Sequence, residues 1–489
     1  MVKISRPYLA AVTITAIFGF LPAPAVTWSA PPASGDKAFD YRDGVLYFAL
    51  TDRFFDGDES NNAKVQTDAK GAYHGGDFRG LTAKLPYLQE LGINVLWISP
   101  VVDNIDFPVT GAGFPDWGYH GYWAERFDRT DEHFGSQEEL RDLVAKAHGL
   151  GIKVLIDIVV NHVGYDAGFY KDHPDWFHSR SAEGDLESWL MGLPDLRTED
   201  KPVADFLIDT YLSWIEKTGC DGFRLDTVKH VDHPFWQDFS RRIKAKYPHF
   251  FLLGEVWGGD AAGLRPYFDA HELDGAFDFS FPGSVRAFLE GNGRTVAFDA
   301  YLRKRHLVPD GIVMSHYLDS HDEKGFLFES GGDKALFRQA AALQMTTTGL
   351  PMVYYGDEVA RTGGDWPANR GDMPWEGAQD KTMLALYREL IAARQQHPAL
   401  RHGLHEALLL EKDVYGFRRT LDGDNVVVVV NRSTEPARAV LKLPEAVAKA
   451  RKLRSLITGT DPLPVREGGE VELALAGRAF LVLIPMYDQ

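Results

Sequence analysis

Three carboxylates in this sequence each follow a short apolar run: Asp226 in GFRLDTVKH, Glu255 in FFLLGEVW and Asp322 in SHYLDSHDE. Two acids brought together can cleave a glycosidic bond, one as acid/base and one as nucleophile, and a third can stabilise the charge that develops. Acids after apolar runs also serve as caps or ion-pair partners, and any one of the three alone reads best that way. Together, each beside an Arg, His or Trp, they read as a site. Arg224 lies two residues before Asp226, so on a strand both side chains share a face and can pair. Glu255, in apolar company and close to Trp257, has the surroundings that raise a carboxyl pKa.

Acids that arrive from distant segments need a scaffold that gathers strand ends, and the C-terminal face of a (β/α)₈ barrel does so. Strand-like runs occur at 45–50, 93–99, 153–159, 221–226, 250–255, 275–280, 312–319 and 352–356, with helix-like runs such as 136–151 and 333–349 between most of them. Alternation over this length predicts an α/β fold, a closed (β/α)₈ TIM barrel over 36–161 and 203–402. Residues 162–202 are rich in Asp, His, Gly and Trp and too long for an ordinary βα loop, which predicts a small subdomain inserted after strand 3. From 403 to 489 the runs VYGFRRTL, NVVVVVNRS and RAFLVLIP predict an all-β C-terminal sandwich domain.

Composition narrows the partners. A balance of 52 Lys+Arg against 70 Asp+Glu gives −18, which disfavours nucleic acid. The single cysteine, Cys220, permits no intrachain disulfide and reads as a buried thiol. Aromatics make up 12% of the chain; they suit stacking on sugar rings and equally suit a core. Lys3 and Arg6 precede an apolar stretch ending near Ala25 or Ala30, the pattern of a signal peptide over residues 1–25. That predicts an exported protein, secreted or periplasmic, with no stable membrane insertion after cleavage.

The segments DIVVNH (157–162), GFRLDTVKH (222–230), GEVW (254–257) and SHD (320–322), supported by YHGYW (119–123), LPDL (193–196) and GLPMVYYGDE (349–358), resemble in type and order those of glycoside hydrolase family 13, the α-amylase family. The resemblance implies Asp226 as nucleophile, Glu255 as general acid/base and Asp322 as transition-state stabiliser. It implies sugar contacts from Tyr122, His120, His162, Arg224 and His321. Lys229 and His230 are implied on the acceptor side, and Asp365 and Arg370 on the donor side. A lone His is more often a core or capping residue, and Asp365 and Arg370 read almost as well as a loop ion pair.

Two structural Ca²⁺ sites follow from the same resemblance. One uses Asp56, Asp58, Asn61, Asn62, the Gly75 carbonyl and Asp77, oxygen donors suited to a hard cation, although such residues also make polar turns. The other uses Asn161, Asp195 and the His230 carbonyl, and here the sequence departs from the family, with Arg197 after LPDL.

The implied activity is retaining endo-hydrolysis of α-1,4-glucosidic bonds in starch and maltooligosaccharides, an α-amylase. The alternative is a cyclomaltodextrinase, neopullulanase or maltogenic amylase with the same machinery, suggested by the first calcium loop and the NRGDMPW segment. Against it, no separate domain precedes the barrel in this sequence. A cyclodextrin glucanotransferase is expected less, for want of further C-terminal domains. A non-catalytic binding or transporter-associated relative would lose the acids retained here.

Overall fold

The structure, a computed structural model, describes residues 38–459 and 461–487, so the expected leader lies outside the described residues. Eight parallel strands follow one another around a closed barrel: β1 (Leu46–Ala49), β2 (Val95–Ile98), β3 (Lys153–Ile158), β4 (Gly222–Leu225), β5 (Phe251–Gly254), β6 (Gly275–Phe277), β7 (Val313–Tyr317) and β8 (Leu350–Tyr354). β8 closes onto β1 through Leu46↔Met352 and its neighbours. The strands are apolar because helices cover the outside and side chains fill the inside. Phe48 of β1 stacks on Trp97 of β2 within the barrel, ring centroids 3.6 Å apart. Two buried charged residues break the pattern, Asp157 on β3 and Arg224 on β4, and the register places them directly opposite each other.

Helix boundaries follow local chemistry. Gln137–Gly149 begins with a capping box between Ser136 and Glu139. It buries Leu140, Leu143, Val144 and Ala147, one stripe at helical spacing. The helix expected over 333–349 ends earlier, at Thr346. Thr347 is extended and Gly349 has φ +113, so consecutive threonines and a left-handed glycine stop it before β8.

Between β3 and the helix Lys201–Thr218, residues 162–200 carry only short helical turns. Isolated bridges His162↔Asp195 and Phe177↔Leu196 fold this segment back on itself.

The C-terminal part is antiparallel. Its strands are β9 (Leu404–Leu410), β10 (Val414–Leu421), β11 (Asp424–Asn431), β12 (Ala437–Lys442), β13 (Lys452–Ser455), β14 (Leu463–Pro464), β15 (Glu470–Leu475) and β16 (Phe480–Met486). Six form one sheet in the order β14-β13-β16-β11-β10-β9, and β12 pairs with β15 separately. The five-valine run of β11 is explained by burial on both faces. Val426, Val428 and Val430 join the core shared with the barrel, while Val427 and Val429 face the interior of the sandwich. Each such burial is worth about 1.5–3 kcal/mol. Gln339 Nε2 donates to Asn431 O at 2.7 Å and Arg432 Nη1 to Phe288 O at 2.9 Å, which fastens this sheet to the barrel helices.

Candidate active site

Asp226 follows the last residue of β4 and Glu255 the last of β5, and ladder bonds place both at the same end of the barrel: Asp226 N–H donates to Ile158 O and Glu255 N–H to Leu225 O. Arg224, 2% exposed, lies between them. Its Nη1 is 2.6 Å from Asp226 Oδ1 and 3.1 Å from Asp157 Oδ1, and its Nη2 is 3.0 Å from Glu255 Oε1. One guanidinium thus holds three acids. Thr227 follows with φ +49, and its N–H donates to Glu255 Oε2 at 2.9 Å. A β-branched residue is rarely left-handed. Here that conformation aims the amide of the residue after Asp226 at Glu255.

The electrostatics separate the acids. Burial pushes the Glu255 carboxyl up, Arg224 opposes it, and Asp226 and Asp322 add to the rise, to about 8. Glu255 therefore holds a proton at neutral pH. Asp157 is likewise pushed up to about 7, by burial first, with Arg224 pulling down and Asp226 pushing up. Its oxygens nevertheless accept from Trp97 Nε1 (3.1 Å), Tyr122 OH (2.7 Å) and Arg224, an arrangement that suits the carboxylate form. Asp157 orients Tyr122 and Arg224.

Asp322 sits beyond β7, its side chain 31% exposed, with Oδ1 3.0 Å from Arg370 Nη2 and Oδ2 3.2 Å from His321 Nε2. Partial burial opposes its charge, but His321, Arg370 and Arg224 hold its carboxyl below the usual range. Arg370 also donates to His321 O at 2.8 Å. Burial lowers His321 to about 3, so the ring is neutral, and its Nδ1 is buried without a partner. The Tyr122 ring lies parallel to His321 at 5.3 Å, and His120 lies beside Tyr122 at 5.6 Å. His162 is buried next to Asn161, and burial lowers its pKa too. The structure brings Tyr122, Arg224, His321 and Arg370 together with the three acids.

Other expected contacts stand at the rim. Lys229 Nζ lies 3.3 Å from Asp185 Oδ2 and His230 Nδ1 lies 2.9 Å from Asp185 O, so both grip the segment inserted after β3. Asp365 is exposed and pairs with Lys324 at 2.9 Å rather than with Arg370, whose carboxylate partner is Asp322. A cleft of about 280 Å³ opens at Glu255 and Asp322, lined also by Arg224, Trp257, Phe279 and Tyr317. Trp257, half exposed, packs on Phe279 at 5.0 Å and gives one wall a broad apolar face. Phe279 and Tyr317 did not stand out in the sequence, because aromatic residues after strands read as core.

The first expected calcium set passes a test of fit. Asn61 Oδ1 and Asn62 Oδ1 are buried without hydrogen-bond partners. A Cβ at Gly75, where φ is +93, would come 2.7 Å from Asn62 Oδ1 and 3.1 Å from Asp56 Oδ2, so only glycine admits this approach. Asp77 accepts the N–H groups of Gly57 and Asp58 at 3.2 and 2.8 Å. These oxygens suit a hard cation. Asp58 departs from the expectation, because its carboxylate turns to Ser60 and to Arg79 Nη1 at 2.6 Å, leaving only its main chain toward the loop.

The second set does not fit. Asp195 Oδ2 is 2.7 Å from His178 Nδ1, whose Nε2 is 2.9 Å from Glu199 Oε1. Burial works against charge on His178, yet the two carboxylates raise its pKa, and the ring already takes the place of a ligand partner on Asp195. Asn161 is buried beside it, and its side chain hydrogen-bonds Asp195 as well. His178 is the residue that sequence reasoning passed over, since only folding brings it to Asp195.

Comparisons with known proteins agree with this geometry. The family described as "Alpha amylase, catalytic domain" matches residues 48–185 and 173–374. The chain is 33% identical over 440 residues to neopullulanase 2 of Thermoactinomyces vulgaris, covering 83% of this chain and 72% of that one. It is 30% identical over 442 residues to a cyclomaltodextrinase of Thermoanaerobacter pseudethanolicus, covering 85% and 74%. The crystal structure of an Anoxybacillus α-amylase superposes with a TM-score of 0.84 at 30% identity, covering 92% of this chain and 99% of that one.

Proposed function

Because this chain belongs to the α-amylase family of glycoside hydrolases, we propose that it cleaves α-1,4-glucosidic bonds with retention, acting on cyclic and short linear maltooligosaccharides in the manner of a cyclomaltodextrinase or neopullulanase. The observation that carries the chemistry is the single guanidinium shared by Asp226 and Glu255 beside a Glu255 carboxyl raised to about 8. The double displacement needs one ionised and one protonated acid side by side, about 5–5.5 Å apart. Asp226 attacks the anomeric carbon. Glu255 gives its proton to the leaving oxygen, then takes one from the incoming water. Asp322, pinned by Arg370, faces the positive charge that develops. Tyr122 lies under the reacting sugar, oriented through Asp157, and His321 Nδ1 accepts from a sugar hydroxyl.

The names of the relatives support the small-substrate reading over starch, while the Anoxybacillus structure keeps the α-amylase reading in play. Initial rates on β-cyclodextrin, pullulan, maltoheptaose and soluble starch, measured side by side, decide between them. Preference for cyclodextrin or pullulan supports the first; preference for starch supports the second. No activity on any α-glucan would overturn both.

One structural Ca²⁺ belongs to the same reading, held by Asp56, Asn61, Asn62, Asp77 and the Gly75 carbonyl. When bound it would supply loop rigidity beside the barrel and no chemistry. Export is part of it as well, resting on the leader pattern of residues 1–25; the N-terminal sequence of protein recovered outside the cytoplasm tests it.

A further inference from the structure

A second cluster, not used by the chemistry above, stands on the loops beside the calcium segment. One ligand atom each from Asp106, Glu132 and His133 lie within 4.8 Å of one another, and among the described residues no other group of three His, Cys, Asp or Glu side chains comes so close. Exposed acids alone would mean little. His133 changes that. It is 4% exposed, and its ring stacks on Tyr73 at 3.8 Å and 12°. Its Nδ1 lies 2.8 Å from Asp131 Oδ1. Asp131, itself 1% exposed, accepts there, so Nδ1 carries the hydrogen and Nε2 presents a lone pair. That Nε2 is buried and has no hydrogen-bond partner, a costly state for a polar atom held in place on both sides.

We propose that Asp106, Glu132 and the Nε2 of His133 form a binding site for a divalent ion of the zinc class. A buried carboxylate that fixes the tautomer of a histidine is the usual support behind a metal-bound imidazole. An imidazole with two carboxylates suits zinc and its transition-metal neighbours, whereas calcium and magnesium take oxygen alone. The charge also needs a cation. Asp106 and Glu132 are both exposed acids, and Lys64 engages Oδ1 of the Asp106 carboxylate and its main-chain carbonyl, leaving Oδ2.

The site would act as a clamp. Asp106 lies on the loop after β2, and Glu132 and His133 on the turn before the helix Gln137–Gly149. Asp131 already joins these segments by accepting the Asn104 N–H at 3.1 Å. The loop clamped in this way runs on to His120 and Tyr122.

The test uses the full-length, calcium-loaded protein, equilibrated with Zn²⁺ by dialysis and assayed by elemental analysis and thermal melting. Wild type should hold one more tightly bound zinc than the surface double variant Asp106→Asn/Glu132→Gln, whose affinity at the site falls ~10-fold or more. Zinc should raise the melting temperature of wild type only. Equal stoichiometry and affinity in the two proteins would overturn the proposal. So would a folded His133→Gln variant that binds zinc as tightly as wild type, or displacement of the zinc by excess calcium.

Discussion

Arg370 Nη2 lies 3.0 Å from Asp322 Oδ1, tying the loop after β8 to the acid that follows β7. The same side chain donates to His321 O, so one arginine positions the third carboxylate and, with His321 and Arg224, favours its charge. Arg370→Ala should lower kcat by about 10²-fold, the scale set by small misplacement of a reacting group, with a smaller change in KM. Steady-state kinetics on maltoheptaose checks this; an unchanged kcat would remove Arg370 from the machinery.

Glu255→Gln should lower kcat by ~10²–10⁴-fold, the usual contribution of a general acid, while the fold persists. Its stability effect has a defined sign. The Glu255 carboxyl is raised from 4.5 to about 8 in the folded protein. Between those values only the unfolded chain releases the proton, so wild-type stability falls as pH rises and levels off above about 8. The neutral Gln escapes this loss. Its melting temperature should therefore gain on wild type from acid to alkaline pH, as scanning calorimetry at several pH values would show.

The same group sets the alkaline limb of activity. kcat/KM should decline as pH rises through about 8, because deprotonated Glu255 has no proton for the leaving oxygen. A pH profile flat across this range would argue that another group is the acid.

Calcium removal by chelation should lower the melting temperature, since an ion that binds only the folded state adds about 2.7 kcal/mol at 100 times its Kd. Asn62→Ala should abolish that dependence, because its Oδ1 is one of the two unpaired amide oxygens of this loop. Asp195→Asn should leave the calcium stoichiometry unchanged and destabilise the segment inserted after β3 instead, since it removes one of the two carboxylates that hold His178. Calorimetric titration with Ca²⁺ distinguishes the two sites.

The barrel was legible because alternation survives in the sequence, and a buried parallel strand leaves an unbroken apolar run such as that of β1 or β5. Asp226 and Glu255 were legible for the same reason, as polar interruptions at the ends of such runs. Partnerships between distant segments were not. His178 with Asp195, Arg370 with Asp322 and Lys324 with Asp365 are products of folding, and an exposed-looking His or Lys gives no local sign of its partner. Asp58 was misread differently: an Asp in a polar turn has no preference, in sequence, between an ion and a nearby arginine.

Thr227 has a consequence for engineering. Its left-handed backbone is a local cost of order 1–3 kcal/mol, sustained by the surrounding barrel. A search for thermostable variants should therefore be drawn to this position, since Gly or Asn would relax it. Any such gain would loosen the hinge that aligns nucleophile with proton donor, so the most tempting stabilising substitution in the barrel is one to leave alone.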